Sequence, residues 1–358
     1  MQGNEELKKR QMLSAQIDLS KFNKGDFIKA TEEEKKQQDV MGESTTFFKD
    51  GMKRLKKNPL AMGSIVILVL ILALIIIAPF FVPYSYSDII TVDGKRDKTA
   101  ANMAPFEYSK LEQQYMDRTG EKLFPHIFGT DNLSRDYFIR VIYGTRVSLS
   151  VGVIAAIMVL IIGLVYGSVA GYFGGKVDMF LMRFTEIFGA IPFLPFAMIL
   201  SALMAQMDIS ENEKIFILMV ILGLLSWTGL ARLVRGQILL AREQEYVTAA
   251  KAMGLRESRI AFRHILPNIV SVIFVTLTLD FATCMLTEST LSYLGFGVTY
   301  PRPTWGNMLN GANNSTVIKN FWWRWLFPAI FLAITCICIN IVGDTLRDVM
   351  DPKSDRDK

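Results

Sequence analysis

The chain has 358 residues, 51% of which are apolar, and its formal net charge is only +5 at pH 7. The apolar residues are gathered into blocks of about twenty, the length that a helix needs to cross a hydrocarbon core of roughly 30 Å. This distribution excludes an ordinary water-soluble globular protein, and the modest charge gives no reason to expect a nucleic-acid partner.

Six such blocks predict an all-α, polytopic membrane protein with six transmembrane helices. The first block lies too far from the N-terminus and is too long for a cleavable signal peptide. In chain order the blocks cover residues 61–81, 147–172, 177–204, 215–233, 269–291 and 325–342.

These blocks also predict how the chain is divided on the two sides of the membrane. A polar N-terminal segment precedes the first helix, and a polar loop interrupts the later helices. The predicted divisions are a cytoplasmic segment (1–57), the first transmembrane helix (58–82), an extracytoplasmic loop (83–146), a five-helix core (147–343) with a cytoplasmic loop (235–268), and a cytoplasmic tail (344–358).

The placement of lysine and arginine predicts the orientation of these helices. Basic residues at 53–57 immediately precede the first helix and should hold that end in the cytoplasm. Counting helices from there places loop 235–268 and both termini in the cytoplasm, and the basic residues of that loop agree. Arg135, Arg140 and Arg146 then fall outside, in a loop of about 65 residues, a length at which the charge rule weakens.

Two patterns surround the second apolar block. Apolar residues within 137–142 recur at helical spacing and predict an interfacial amphipathic helix that leads into the second span. Inside that span, Gly163, Gly167 and Gly171 repeat every four residues and form a smooth ridge for close helix packing. Packing within this chain explains the ridge more simply than a subunit interface does.

The segment 245–268, EYVTAAKAMGLRESRIAFRHILPN, is too polar to lie in a membrane. Its helix patterns have clear ends, which is not typical of a flexible linker. Its first helix pattern stops at Gly254, a residue suited to the left-handed position just after a helix. A second polar helix pattern, 256–264, runs into Pro267 at the start of the fifth block. Two short helices with a tight turn beneath a membrane predict a docking element for a cytoplasmic partner.

The sequence contains no recognisable motif of enzymatic catalysis. Residues 174–176 do not make a phosphate loop, because Val177 and Ala170 stand where that loop needs Ser or Thr and Gly. His126 and His264 lie on opposite sides of the membrane in the predicted topology, and the three cysteines lie inside apolar blocks as buried thiols. We therefore expect neither an enzyme nor a metal site.

Ionisable side chains inside the spans are costly in lipid and normally face protein or water. Arg183 and Glu186 are i, i+3 neighbours in the third span, where a mutual ion pair is favoured over a substrate contact. Asp280 and Glu288 lie on roughly one face of the fifth span, which should look into a subunit interface or a water-filled path. For these two, a role in the translocation path and a structural hydrogen bond are equally open.

Several blocks of sequence carry a family resemblance. Residues 128–149 read FGTDNLSRDYFIRVIYGTRVSL, residues 286–309 contain LSYLGFG and PRPTWGNML, and residues 340–352 read NIVGDTLRDVMDP. The segment TAAKAMG followed by RHILPN resembles an EAA loop, with Thr248 at its usual Glu position, and Ser134 stands where Gly is preferred in the first block. In order and spacing, these blocks resemble the C-type permease subunit of oligopeptide and dipeptide ABC importers.

The resemblance implies a type I ABC-importer permease core in a bacterial cell membrane. The implied partners are a homologous second permease subunit, two ATP-binding subunits and an extracytoplasmic peptide-binding lipoprotein. The chain itself is expected to bind no cofactor, because ATP and Mg would be held by the ATP-binding subunits. The residues implied in ATPase coupling are Glu245, Tyr246, Ala249, Ala250, Gly254, Arg259, His264 and Pro267.

One further expectation and two alternatives complete the prediction. Asp344, Arg347 and Asp348 follow the last span and are expected to form a cytoplasmic salt-bridge clasp near the coupling loop. The same machinery could carry nickel chelates or another small solute. A protein of a different class, a gradient-driven secondary transporter, would use Asp280 and Glu288 as a proton relay but would not need a docking loop.

Overall fold

The computed structural model describes residues 55–350, without the side chains at positions 205, 258, 262 and 350. The predicted N-terminal segment lies almost wholly outside the described residues, as does the end of the predicted tail. The helices are α1 (Pro59–Phe81), α2 (Lys110–Thr119), α3 (Tyr137–Phe173), α4 (Gly175–Gly189), α5 (Phe193–Ala205), α6 (Glu211–Ser226), α7 (Thr228–Arg242), α8 (Glu245–Ala252), α9 (Glu257–Ile260), α10 (Leu266–Tyr293), α11 (Trp305–Asn310), α12 (Ser315–Asn320) and α13 (Trp323–Met350).

Short elements connect these helices. Strands β1 (Thr91–Val92) and β2 (Lys95–Arg96) pair antiparallel in a small hairpin. A 3-10 turn, Lys98–Ala100, follows the hairpin, and a π-helical turn, Ala261–Ile265, joins α9 to α10. In the described part of the chain, this hairpin and one isolated bridge between Thr130 and Asp136 are the only β-structure, which confirms the predicted all-α class.

Four of the helices are long and apolar enough to cross a membrane on their own: α1, α3, α10 extended back to Arg263, and α13. Two helix pairs meet the same standard together but are bent, α4 with α5 by 74° and α6 with α7 by 45°. The predicted six spans are reached when each bent pair is counted as one span. The first bend falls at Pro192, which caps α5 and cannot donate a backbone hydrogen bond to a continuous helix.

Helix α3 is the centre of the fold, and its glycine ridge lies against α7. A Cβ atom built on Gly167 would stand 2.4 Å from the carbonyl oxygen of Ala231, and one on Gly171 would stand 2.8 Å from that of Arg235. At Gly163 the nearest atom would be Cβ of Leu230, at 2.9 Å. The ridge therefore packs inside this chain, as predicted, because no side chain larger than hydrogen fits between the two backbones.

The predicted interfacial helix is continuous with the second span. Helix α3 begins at Tyr137, with Asp136 as its N-cap, and runs for 37 residues without a break. Both faces of its first two turns are buried, Phe138 and Ile142 on one side and Tyr137 and Val141 on the other. These apolar residues contact protein, because residues 83–136 fold into a small subdomain over this end of α3, which we call the outer subdomain after the predicted topology.

Buried arginines hold the outer subdomain to the helices. Arg135 and Arg140 both pair with Asp131, and Arg140 also donates to the carbonyl oxygen of Tyr86 at 2.7 Å. Arg324, at the start of α13, donates to the side chain of Asn102 at 3.0 Å. Two of the arginines that oppose the charge rule thus share one carboxylate within the subdomain, which offsets part of their charge.

Candidate functional site

The polar segment between α7 and α10 forms the two-helix element that the sequence predicts. Helix α8 ends with Met253 as its C-cap, and Gly254 follows with φ +73°. This is the left-handed region that L side chains rarely adopt, so Gly254 sets the turn. Residues from Glu257 onward pass through α9 and the π-helical turn into α10, whose first turn contains Pro267. The element is therefore continuous with a candidate membrane span.

Helix α8 has one buried and one exposed face. Val247 and Ala250 are buried, with 0% and 2% of their surface accessible, and belong to the main apolar core. Tyr246 and Ala249 lie on the exposed face, and Met253 just beyond them is 73% exposed. Of the two alanines predicted to contact an ATPase, only Ala249 is available to a partner, because Ala250 packs inside this chain.

The other predicted coupling residues lie around the same element. Glu245 occupies the first turn of α8, where a carboxylate interacts favourably with the helix dipole. Arg259 is exposed, and His264 is half-buried in the π-helical turn. Asn268 donates its side-chain amide to the carbonyl oxygen of His264 at 2.7 Å, which satisfies an acceptor in this irregular turn. Their role in coupling stays a prediction.

The ionisable residues of α4 are found in two separate pairs. Arg183 and Glu186 form the predicted i, i+3 ion pair, at 2.7 Å on an exposed face. Asp178 instead pairs with Arg235 of α7 through two hydrogen bonds. The second pair ties α4 to α7, and the sequence did not indicate it because the two residues lie 57 positions apart.

Asp280 and Glu288 occupy different environments in α10. Asp280 is half-buried, whereas the carboxylate of Glu288 is fully enclosed. Glu288 accepts hydrogen bonds from the hydroxyls of Ser148 at 3.1 Å and Ser292 at 2.6 Å, which joins α10 to α3. Trp305 of α11 is completely buried beside this group, and its backbone N–H donates to Ser148 at 3.4 Å. This geometry favours the structural hydrogen-bond role for Glu288.

We expect Glu288→Leu to destabilise the outer half of the bundle strongly, since it leaves several buried hydroxyls without an acceptor, at about 1–3 kcal/mol for each unsatisfied group. Glu288→Gln keeps the size and one acceptor, and should cost much less. Thermal unfolding of the purified chain in detergent measures both. Equal stability of Glu288→Leu and the wild type, with transport lost, would instead indicate a role in the translocation path.

The predicted cytoplasmic clasp is not formed within the described part of the chain. Asp344, Arg347 and Asp348 are all exposed, and none of them pairs with another residue between 55 and 350. The end of α13 is instead joined to the start of α1, where the side-chain amide of Asn58 lies 3.4 Å from the hydroxyl of Thr345. Asn58 is also the N-cap of α1, so one residue serves both helices.

A buried histidine organises the outer subdomain. His126 is completely inaccessible and lies between two carboxylates, with Nδ1 2.7 Å from Asp136 and Nε2 3.0 Å from Glu112. Burial by itself lowers the pKa of this imidazole, but the two carboxylates outweigh it and raise the pKa to about 9. The ring also stacks on Tyr84 at 4.8 Å, with Tyr108 nearby. Since Asp136 caps α3, this charged cluster fixes the subdomain on the helix.

This cluster predicts that the outer subdomain loses stability at alkaline pH. The folded-state pKa of about 9 lies above the ordinary value of 6.5, so the stabilisation is complete below 6.5 and disappears as the pH rises through 9. The melting temperature should fall between pH 7 and pH 9.5 in the wild type. His126→Gln should melt lower at pH 7 and lose this alkaline decrease. His264→Gln, a control outside the subdomain, should keep the decrease; an identical pH profile in His126→Gln would contradict the prediction.

Taken together, the candidate spans, the bent helix pairs and the polar two-helix element are those of a multi-pass membrane protein. The sequence matches two family descriptions. Residues 163–356 match the binding-protein-dependent transport system inner membrane component, and residues 46–105 match the N-terminal transmembrane domain of oligopeptide transport permease C. The chain belongs to this family of transport permeases, which confirms the resemblance seen in its motifs.

Similar proteins cover most of the chain. The dipeptide transport system permease protein of Bacillus subtilis is 36% identical over 327 residues, which are 91% of this chain and 92% of the relative. The oligopeptide transport system permease protein of Escherichia coli is 37% identical over 311 residues, 87% of this chain and 93% of the relative. Among solved structures, the inward-facing MetNI methionine ABC transporter gives a TM-score of 0.46 at 17% identity, covering 59% of this chain and 97% of that one.

Proposed function

We propose that this chain is one of two permease subunits of an ATP-driven importer of oligopeptides or dipeptides. The family and the names of its relatives support the peptide substrate. The second permease subunit is homologous but distinct, and the translocation path runs between the two. A peptide-binding lipoprotein delivers the substrate on the extracytoplasmic side, and two ATP-binding subunits, which hold the ATP and Mg, dock on the cytoplasmic side.

The observation that carries this proposal is the exposed face of α8. Tyr246, Ala249 and Met253 form a small, uncharged surface beside a sharp turn at Gly254. A small side chain at Ala249 lets the helix enter a groove of a partner. Because α9 continues into α10, displacement of α8 moves a span as a rigid body, the kind of movement that switches a transporter between inward and outward states.

The proposed orientation places both termini in the cytoplasm of a bacterial cell. The basic residues before α1 and in the α8–α9 segment support it through the charge rule. With this orientation, the outer subdomain and the loops between α10 and α13 face the binding protein, while α8 faces the ATP-binding subunits.

Copurification with uptake tests the proposal. The tagged chain, purified from its own host membranes, should carry with it one second permease and two ATP-binding subunits. In proteoliposomes this complex should accumulate a labelled tripeptide only when ATP and the binding protein are both supplied. A complex that accumulates a nickel chelate but no peptide would replace the substrate class while keeping the machinery.

A further inference from the structure

A cavity of about 340 Å³ opens beside α3 and α6, at the end of the molecule opposite α8. Two arginines line it: Arg146 on α3 and Arg302 in the loop before α11. Tyr86 and Tyr143 form one wall, with ring centroids 4.7 Å apart, and α6 contributes an apolar side. None of these residues takes part in the coupling segment.

The two arginines lack acidic partners within residues 55–350. Neither guanidinium forms an ion pair or a side-chain hydrogen bond there, in contrast to Arg135 and Arg140, which share Asp131. Arg146 is exposed at the mouth of the cavity and Arg302 is half-buried. Two guanidinium groups without acidic partners make the lining positive, which favours an anionic ligand.

The backbones that carry both arginines are held by the surrounding fold. The side-chain amide of Asn307 donates to the carbonyl oxygen of Arg302 at 2.8 Å, and Trp305, three residues further on, is completely buried. Arg146 extends from the central helix, on which Gly144 and Thr145 are buried against α11. A site built on fixed backbones loses little conformational entropy when it binds a ligand.

We propose that this cavity binds the carboxyl terminus of the transported peptide at the extracytoplasmic end of the permease. The inference rests on the peptide import proposed above. Planar guanidinium groups match carboxylates through paired hydrogen bonds, and the aromatic wall suits the apolar part of a terminal residue. A cavity of this volume holds the end of a peptide, so it accepts peptides of different length by the feature that all of them share.

The test compares the uptake of two tripeptides by the complete transporter in proteoliposomes. The peptides have the same sequence, but one has a free carboxyl terminus and the other an amidated one. In the variant Arg146→Gln/Arg302→Gln, uptake of the free-acid peptide should fall by about tenfold or more relative to wild type, while uptake of the amide keeps its wild-type rate. The variant Arg146→Lys/Arg302→Lys keeps both charges but lacks the planar guanidinium groups. Its uptake of the free-acid peptide should lie between that of the wild type and that of the glutamine variant. Lys214→Gln is the matched control, because this cation of α6 already pairs with Glu211 at 3.4 Å.

The outcomes separate the possible explanations. If the double glutamine variant takes up the free-acid and the amidated peptide equally more slowly than the wild type, or takes up both at the wild-type rate, the carboxylate site is overturned. A fall that occurs only in liposomes containing anionic phosphatidylglycerol also overturns it, because the arginines then contact a lipid phosphate. Wild-type complex that transports neither peptide overturns the proposed peptide import itself, whereas transport with an unchanged acid-to-amide ratio in the double variant overturns only the site.

Discussion

Replacing Ala249 by glutamate is expected to reduce ATP-driven uptake by tenfold or more, because a charged side chain on the exposed face of α8 blocks entry into the groove of an ATP-binding subunit. A tenfold loss corresponds to about 1.4 kcal/mol, and disrupting the centre of an interface commonly costs about 2 kcal/mol or more. The residue is exposed in this chain, so folding and membrane insertion should be unaffected. The measurement is tripeptide accumulation in proteoliposomes, with the amount of assembled complex determined in parallel.

Ala249→Ser is the control for this prediction, since it keeps a small side chain and should retain uptake. Ala250→Glu gives the contrasting result. Ala250 is only 2% exposed, and a carboxylate placed there has no partner in the apolar core, so this variant should lower the stability and yield of the chain itself. Normal uptake by Ala249→Glu, or normal stability of Ala250→Glu, would show that the two faces of α8 have been assigned incorrectly.

Replacing Gly167 by valine is expected to prevent α3 from packing on α7. The added Cβ would stand 2.4 Å from a backbone carbonyl oxygen, which cannot move without displacing α7. Overpacking of a core commonly costs about 1–3 kcal/mol, and a backbone contact lies at the upper end of that range or beyond it. We expect little folded protein after detergent extraction, measured as the monodisperse fraction in size-exclusion chromatography.

Gly63→Val is the matched control, because Gly63 also lies inside a membrane helix and a Cβ there would meet no atom within 4 Å. It should give a yield close to that of the wild type. Recovery of Gly167→Val at the control level would mean that α3 and α7 do not approach as closely as their backbones indicate.

The sequence predicted the spans and the turn of the two-helix element well, because both depend on local chemistry. Apolar blocks must cross the membrane whatever they pack against, and Gly254 stops a helix through its own backbone freedom. The packing face formed by the glycine ridge was also predicted from the sequence, since a four-residue repeat places all its members on one face of a helix. In each case the signal lies within one or two helical turns.

Features that depend on distant residues could not be predicted in this way. The 45° bend between α6 and α7 contains no proline; it occurs at Trp227, whose ring packs against Tyr166 of α3 at 4.6 Å. The pairing of Asp178 with Arg235 could not be predicted either, because the two residues lie 57 positions apart in the sequence. Ala249 and Ala250 are neighbours in one motif, and the sequence did not indicate which of them packs inside this chain and which is exposed.

The outer subdomain shows the same limit more clearly. His126 was a lone histidine in a polar loop, and its two carboxylate partners lie 14 and 10 residues away on either side. Only the folded loop brings Glu112 and Asp136 onto opposite edges of the ring. A possible signal was Asp136, which precedes the first helical residue of α3 and is a favourable N-cap type.

The central claim, that ATP hydrolysis by partner subunits drives this permease through α8, is tested most directly by ATPase activity in proteoliposomes. The complete complex is assayed with and without peptide-loaded binding protein, beside the complex that carries Ala249→Glu. The account predicts that loaded binding protein stimulates ATP hydrolysis in the wild type and that the stimulation is lost in the variant. Peptide accumulation driven by a proton gradient, with no ATP-binding subunit attached to the purified chain, would contradict it.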